Sequence, residues 1–298
     1  YVGLSHKDFA LVNVPASVFS ILMNIFFIYC MIFHQREHQQ LKPPLNILQG
    51  ILVGCNIMIS VCTLLKVCMN ALPCLHYVRT VVSKFVVYIM MTSVTSSFWQ
   101  NVYYYCQITP AQSHCLCLKK NICTFIYCAL LINGLIYLFG FSLYIALIVI
   151  IITNSKGIML NFDTNYQALG IAVSWFLVMV MTFCFLILNL CGMSASCCAT
   201  VIYLWKHLKN MEMNNTLSSP RFRRQIRMTI RSIETHAILH FICSMGLIGN
   251  SYISLCTQFV YDKEENVICT IVSVYALGTC IVQCIGQSLF RKQLVYSC

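Results

Sequence analysis

The chain has 298 residues, of which 59% are hydrophobic and only 9% charged, and its formal net charge is +11. Because a soluble domain carries about 25% charged residues, this composition excludes an ordinary soluble protein and points to one that is built for lipid. Nucleic acid is a poor explanation for the positive charge, since the cations flank apolar segments, where anionic headgroups and cytosolic partners lie. We therefore expect membrane lipids as partners and no nucleic acid.

Seven stretches free of Asp, Glu, Lys and Arg are each long enough to cross about 30 Å of hydrocarbon, which takes about 18 residues. Only helices and closed barrels satisfy their backbone hydrogen bonds in lipid, and these stretches lack the polar–apolar alternation of barrel strands. The sequence predicts an all-α membrane protein, a seven-helix bundle that forms one domain over residues 1–298. The predicted helices, in chain order, are roughly 9–33, 45–69, 79–108, 122–152, 171–207, 227–258 and 266–290.

The fifth apolar run, Leu169 to Trp205, is too long for one helix and barely sufficient for two with a turn. Loop charge favours one helix, because seven crossings with the N-terminus outside put 13 of the 19 Lys and Arg residues on the inner side. That distribution obeys the positive-inside rule. We predict a multi-pass plasma-membrane protein with an extracellular N-terminus and a cytoplasmic C-terminus.

Nearly all of the 20 cysteines lie inside apolar runs, where Cys behaves as a small hydrophobic residue. The segment from Thr153 to Gly170 contains no Cys that could pair with Cys74, so the loop disulfide common in rhodopsin-like receptors cannot form. Cys256 and Cys269 bracket the last outer loop, and they either pair or remain free thiols.

Glu234, His236 and His240 form the main ionisable cluster inside a predicted span, which makes them functional suspects. A metal site would need a further ligand from another helix, and no other helix interior offers a carboxylate. Polar residues bonded to neighbouring helices are the simpler interpretation. Nucleophile elbows, phosphate loops and paired carboxylates are absent from the sequence, so we expect no enzyme activity and no cofactor.

Two sequence motifs resemble the type 2 taste receptors, the vertebrate bitter receptors. "LWKHLKNM" (204–211) followed by "QIRMTIRSI" (225–233) is similar to the family's Leu-Trp-Lys/Arg-His segment and the His-Ile-Arg that follows it. "YYYCQITPAQSHCLCLKKNI" (103–122) is similar to its helix-three end, and "LKPPLNIL" (41–48) to its entry into helix two. The resemblance spans all seven helices and implies a G-protein-coupled receptor.

The chain also departs from the family pattern. Gln107 stands where the family has Lys, and Asn56 where helix two usually carries Arg. These departures indicate a divergent member, such as those of fishes. Vomeronasal type 1 receptors, which detect pheromones or odorants, are the alternative within the same fold, and a small membrane transporter is the competing class.

The resemblance implies a receptor for small amphipathic bitter compounds that activates a gustducin-like heterotrimeric G protein of the inhibitory class. The G-protein contact would lie at the inner ends of helices three, five and six. The residues expected there are Tyr104, Gln107, His114, Lys206, His207, Lys209, Arg224 and Arg227. In the alternative interpretation these cations only determine the orientation of the helices in the membrane.

A ligand site in such a bundle should be concave and mostly apolar, with a few polar groups. We expect it in the outer halves of helices three, five, six and seven. The candidates by depth are Met90, Ser93, Ser96, Trp175, Tyr252 and Tyr275. Lys66 and Glu265, with Glu264, would lie near the mouth and steer charged ligands, or they are simply solvated rim residues.

Overall fold

A computed structural model describes residues 4–35, 43–70, 76–108, 116–155, 164–213, 220–256 and 265–286. Within these ranges the chain forms seven α-helices and no strand, which confirms the predicted fold class. The long fifth run is one continuous helix. The helices are α1 (His6–Gln35), α2 (Pro43–Asn70), α3 (His76–Ile108), α4 (Leu116–Ser155), α5 (Thr164–Met213), α6 (Pro220–Cys256) and α7 (Asn266–Gly286).

Six of the helices contain a segment that is long and apolar enough to cross a membrane, and α6 contains a shorter one, Ile233–Gly249. The sequence predicted seven membrane-spanning segments, and the shorter apolar segment of α6 has a physical reason. The first turns of α6 are rich in arginine, up to Arg231, so its apolar part starts late. The charge-free run after Glu234 also extends into 257–261, outside the described residues.

Helix α3 is the centre of the bundle, since it packs against α2, α4, α5 and α7. Helix α1 packs against α2 and α7, while α6 packs between α5 and α7. The amide of Asn266 at the start of α7 donates to the Leu4 carbonyl just before α1, at 3.3 Å. We call the end of the bundle that carries the starts of α1, α3 and α7 the N-terminal face, and the other end the opposite face.

Buried apolar side chains from α2, α3, α5, α6 and α7 meet in one core. On its outside, large apolar side chains are exposed, such as Leu11 of α1 at 75% and Phe139 of α4 at 72%. Such exposure suits contact with lipid tails, which are as apolar as these side chains. The polar residues are turned inward instead, as Asn13, Asn24 and Asn56 show by their complete or nearly complete burial.

Glycine allows α5 to approach α3 closely. A Cβ atom built on Gly192 would lie 2.8 Å from Cε2 of Phe98, closer than real carbon contacts. The Phe98 ring cannot turn away freely, because it packs against Trp99 with ring centroids 5.1 Å apart. Small residues at such crossings let membrane helices gain van der Waals contact.

We therefore predict that Gly192→Ala lowers the melting temperature of the detergent-purified protein, because overpacking a helix contact costs about 1–3 kcal/mol. Gly54→Ala is the matched control, since nothing lies within 4 Å of a Cβ atom at Gly54. The control should melt at the wild-type temperature or slightly above it. Equal melting of Gly192→Ala and wild type would show that α3 and α5 do not approach this closely.

Candidate functional site

At the N-terminal face, Lys66 near the end of α2 is completely buried. Its ammonium donates to Ser83 Oγ of α3 at 2.7 Å and to the Glu265 carbonyl at the start of α7 at 2.9 Å. It also lies 3.3 Å from Cys269 Sγ of α7. A charge is stable inside a bundle only where such acceptors surround it. The structure thus places Lys66 inside the bundle, where it joins α2, α3 and α7, and not at a solvated rim.

Two further contacts complete this group. The Lys66 ammonium lies 5.6 Å from the ring centroid of Phe9 in α1, within cation–π range. The Lys84 ammonium of α3 forms an ion pair with Glu265 Oε1 at 2.5 Å. The resulting Lys66 cluster connects four helices. Its members are Phe9, Lys66, Ser83, Lys84, Glu265 and Cys269.

Deeper in the bundle, a second set of polar contacts ties α7 to α1 and α2. The Asn24 amide lies 2.8 Å from Cys280 Sγ, and the Asn56 amide donates to Thr279 Oγ1 at 3.0 Å. Asn56 stands where the resemblance implies an Arg, so here a neutral amide makes the link between α2 and α7. Cys280 thus serves as a hydrogen-bonding partner rather than only as packing.

Four of the predicted ligand-site residues are buried in the interior of the bundle. Met90, Ser93 and Ser96 of α3 and Tyr275 of α7 are all completely buried, and Met90 and Tyr275 belong to the main core. Ser93 and Ser97 lie near the Tyr275 hydroxyl, but none of the hydroxyls of Ser93, Ser96, Ser97 and Tyr275 has the distance and angle of a hydrogen bond to another described atom.

Helix α6 adds polar groups to the interior. His240 and Ser244 are completely buried, and neither the two ring nitrogens of His240 nor the Ser244 hydroxyl is hydrogen-bonded within the described part of the chain. Cys243 lies near Tyr275. We call these groups the interior polar cluster. It comprises Ser93, Ser96, Ser97, His240, Ser244 and Tyr275.

Buried polar atoms without partners are uncommon in folded proteins and call for an explanation. Here they line an apolar interior, which is the composition of a small-molecule site. The described residues contain no group of three or more His, Cys, Asp or Glu side chains placed to hold a metal ion. Hydrogen bonding and apolar contact are therefore the chemistry that the cluster offers.

Among the other predicted ligand-site residues, Tyr252, Lys66 and Glu265 do not join this cluster. Tyr252 of α6 is 63% exposed, and Trp175 lies on α5 with its side chain outside the described part. Glu265 belongs to the Lys66 cluster. Cys269 is a free, buried thiol in contact with Lys66, so the alternative of a pair with Cys256 is not realised.

At the opposite face, Lys206, His207 and Lys209 at the end of α5 are exposed. They are held there because Leu204 and Leu208 of the same helix are buried. Leu204 packs with Ile226 and Ile230 of α6. This apolar contact joins the end of α5 to the start of α6.

The remaining predicted contact residues are less completely described. Tyr104 is partly buried on α3. Gln107, Arg224 and Arg227 lie on helices, but their side chains are outside the described part, and His114 lies outside the described residues altogether.

Sequence reasoning missed Ser83, Lys84, Cys269 and Phe9, which complete the Lys66 cluster. Lys84 was visible only as the charge that delimits an apolar run. Lys66 lies four residues before the end of α2, where a lysine can either snorkel to the interface or find a partner inside the bundle. Which helix supplies that partner depends on the packing, which the sequence does not show.

The fold is that of a multi-pass, seven-helix membrane protein with a few polar groups buried in an apolar core. A model of the family described as taste receptor protein (TAS2R) matches residues 3–296, nearly the whole chain. The chain therefore belongs to the taste receptor family, and it is a G-protein-coupled bitter taste receptor. A search of curated proteins finds no match to it.

Two tyrosine hydroxyls allow a direct test of which polar groups in the interior are hydrogen-bonded. We predict that Tyr275→Phe leaves the free energy of unfolding unchanged or raises it, because it removes a buried hydroxyl that has no hydrogen bond to the described residues. Tyr137→Phe is the comparison, since the Tyr137 hydroxyl lies 3.0 Å from Thr95 Oγ1. That variant should lose about 0.5–1.5 kcal/mol. Denaturation of both purified variants measures the difference, and an equal loss in both would contradict the assignment.

Proposed function

We propose that this receptor binds small amphipathic bitter compounds among α3, α6 and α7 and activates a gustducin-like G protein of the inhibitory class at the opposite face. The interior polar cluster is the observation that supports the ligand site. Its hydroxyls and the His240 ring are buried and make no hydrogen bond to another described residue, within a core that includes Met90, Leu247 and Val272. A ligand with an apolar body and a few polar groups has the matching chemistry.

The proposed orientation places the N-terminal face outside the cell and the opposite face in the cytosol. The distribution of Lys and Arg supports it, since the basic segments at the end of α5 and the start of α6 then face the cytosol. In this orientation the exposed Lys206, His207 and Lys209 meet anionic lipid headgroups and the G protein.

The proposed mechanism is a shift between two arrangements of the helices. A ligand changes the equilibrium only by binding one arrangement more tightly than the other. Helix α6 is suited to transmit the shift, because it carries His240 and Ser244 at mid-depth and Ile226 and Ile230 where it packs on α5. A G protein that prefers the same arrangement is then thermodynamically coupled to the ligand.

The ligand site is tested by agonist-evoked calcium signals in cells that carry a chimeric G protein, with a panel of bitter compounds. We predict a response to at least one compound and an increase of about tenfold in its half-maximal concentration in Ser96→Ala, since one lost hydrogen bond is worth about 1.4 kcal/mol. The control is Ser142→Ala on the exposed face of α4, which should respond like wild type. Unchanged potency in both Ser96→Ala and Ser93→Ala would reject this site.

The G-protein contact is tested by neutralising two arginines of α6 together, Arg224→Gln and Arg227→Gln. We predict a clear loss of G-protein activation at saturating agonist, while the amount of receptor at the cell surface is unchanged. Lys7→Gln, an exposed cation on α1, is the control and should signal normally. Full activation by the double variant would favour a role of these cations in topology alone.

A further inference from the structure

Glu234 of α6 is an exposed acid at a depth where the neighbouring helices carry no charge. The residue before it, Ile233, lies in one buried cluster with Cys197 of α5. Cys197 precedes Lys206, the first charged residue of α5, by nine residues, a rise of about 13 Å along a helix. Helix α7 contains no charged residue at all. The carboxylate therefore lies beside apolar helices, where an unpaired charge is costly.

A second exposed charge lies one turn before Glu234 on the same helix. It is the guanidinium of Arg231, three residues earlier, which is a rise of about 4.5 Å. Neither side chain forms an ion pair within the described part of the chain. The favourable order for an ion pair along a helix places Glu before the basic residue, and here the order is reversed. Helix α6 thus presents two opposite charges that do not neutralise each other.

Both charges belong to one exposed stripe of α6, whose apolar members are each at least 46% exposed. Helix α6 packs between α5 and α7 through other sides, since Ile230 contacts α5 and Cys243 contacts α7. Arg231, Ile238 and Met245 are seven residues apart, the spacing at which two helices can share one seam over several turns. We call this set the α6 stripe, and its members are Arg231, Glu234, Ile238, Phe241, Ile242 and Met245.

We propose that the α6 stripe is the interface of a homodimer, in which two copies of this chain lie side by side in the membrane about a two-fold axis parallel to the membrane normal. The same surface then faces itself, so Arg231 of one copy pairs with Glu234 of the other, and the pair forms twice. Water screens these ion pairs poorly at an apolar depth. The inference does not depend on the proposed ligand or on the G protein.

The two charges favour a second copy over lipid as the occupant of the stripe. Lipid tails alone could cover Ile238 and Met245, because tails are as apolar as these side chains. Tails offer no partner to Glu234, and an anionic headgroup that attracts Arg231 repels the carboxylate. A second copy supplies the opposite charge to both residues at once, because the two-fold axis exchanges them. The stripe is therefore complementary in charge to itself.

The test is a charge swap between two differently tagged copies of the full-length receptor in cells. Resonance energy transfer from a donor-tagged to an acceptor-tagged copy is measured against the ratio of acceptor to donor. Arg231→Glu makes both charges of the stripe negative, and Glu234→Arg makes both positive. Each variant paired with itself should raise the half-maximal ratio at least about tenfold, because like charges then face each other. Arg231→Glu paired with Glu234→Arg should restore the wild-type ratio.

The control is Phe139→Ala on the exposed face of α4, which should associate like wild type. Recovery in the mixed pair also shows that both charge variants are folded. The proposal is overturned if a charge variant associates with itself as well as wild type does, or if the mixed pair associates no better than the self-pairs at equal amounts in the membrane. Energy transfer between wild-type copies that rises without saturation also overturns it, since the stripe then faces lipid alone.

A milder variant decides the question if the charge reversals reduce the amount of receptor in the membrane. Glu234→Gln keeps the shape of the side chain and leaves Arg231 of the other copy without its partner. It should weaken association several-fold, because removing one member of a poorly solvated ion pair leaves the other charge unpaired. An unchanged half-maximal ratio in Glu234→Gln contradicts the proposed interface.

Discussion

The structure depends on one constraint, which is that a charge inside a lipid-embedded bundle must find its partners within the bundle. Lys66 meets this constraint with a hydroxyl, a backbone carbonyl and a thiol from two neighbouring helices, and with an aromatic ring from a third. Because each unsatisfied polar group in hydrocarbon costs several kcal/mol, these contacts fix which helices meet at the N-terminal face. Asn24 and Asn56 satisfy the same constraint nearer the middle of the bundle, where their amides contact residues of α7.

The interior polar cluster differs from the Lys66 cluster, because its polar atoms are not paired with one another. Its hydroxyls and the His240 ring are buried without hydrogen bonds to the described part of the chain. Protein interiors keep such atoms rarely, and functional sites are where local rules are broken. The receptor thus combines a satisfied polar cluster, which sets the geometry of α1, α2, α3 and α7, with an unsatisfied one, which suits a ligand. Helix α6 contributes only to the second of these clusters.

The fold could be predicted from the sequence, because a charge-free run that is long enough to span the membrane as a helix directly indicates a transmembrane segment. It also identified the family from the Trp-Lys-His segment of α5, and four residues that it predicted for the ligand site, Met90, Ser93, Ser96 and Tyr275, are buried. It could not decide which side of a helix faces inward: Tyr252 is mostly exposed, while Lys66 is completely buried. A spanning helix that is apolar all round carries little periodicity, so its rotation is set by packing against neighbours, and Ser83, Cys269 and Phe9 become visible only once the helices are assembled.

The central claim is that the buried Lys66 ammonium joins the helices at the N-terminal face. A double-mutant cycle with Lys66→Met and Ser83→Ala, singly and together, measures this directly as free energies of unfolding in mixed detergent. The hydrogen bond between Lys66 and Ser83 predicts a coupling energy of about 1.5–3 kcal/mol, the range for hydrogen bonds to charged groups. Effects that add within about 0.5 kcal/mol would mean that the two side chains do not interact, and the proposed organisation of this face would be wrong.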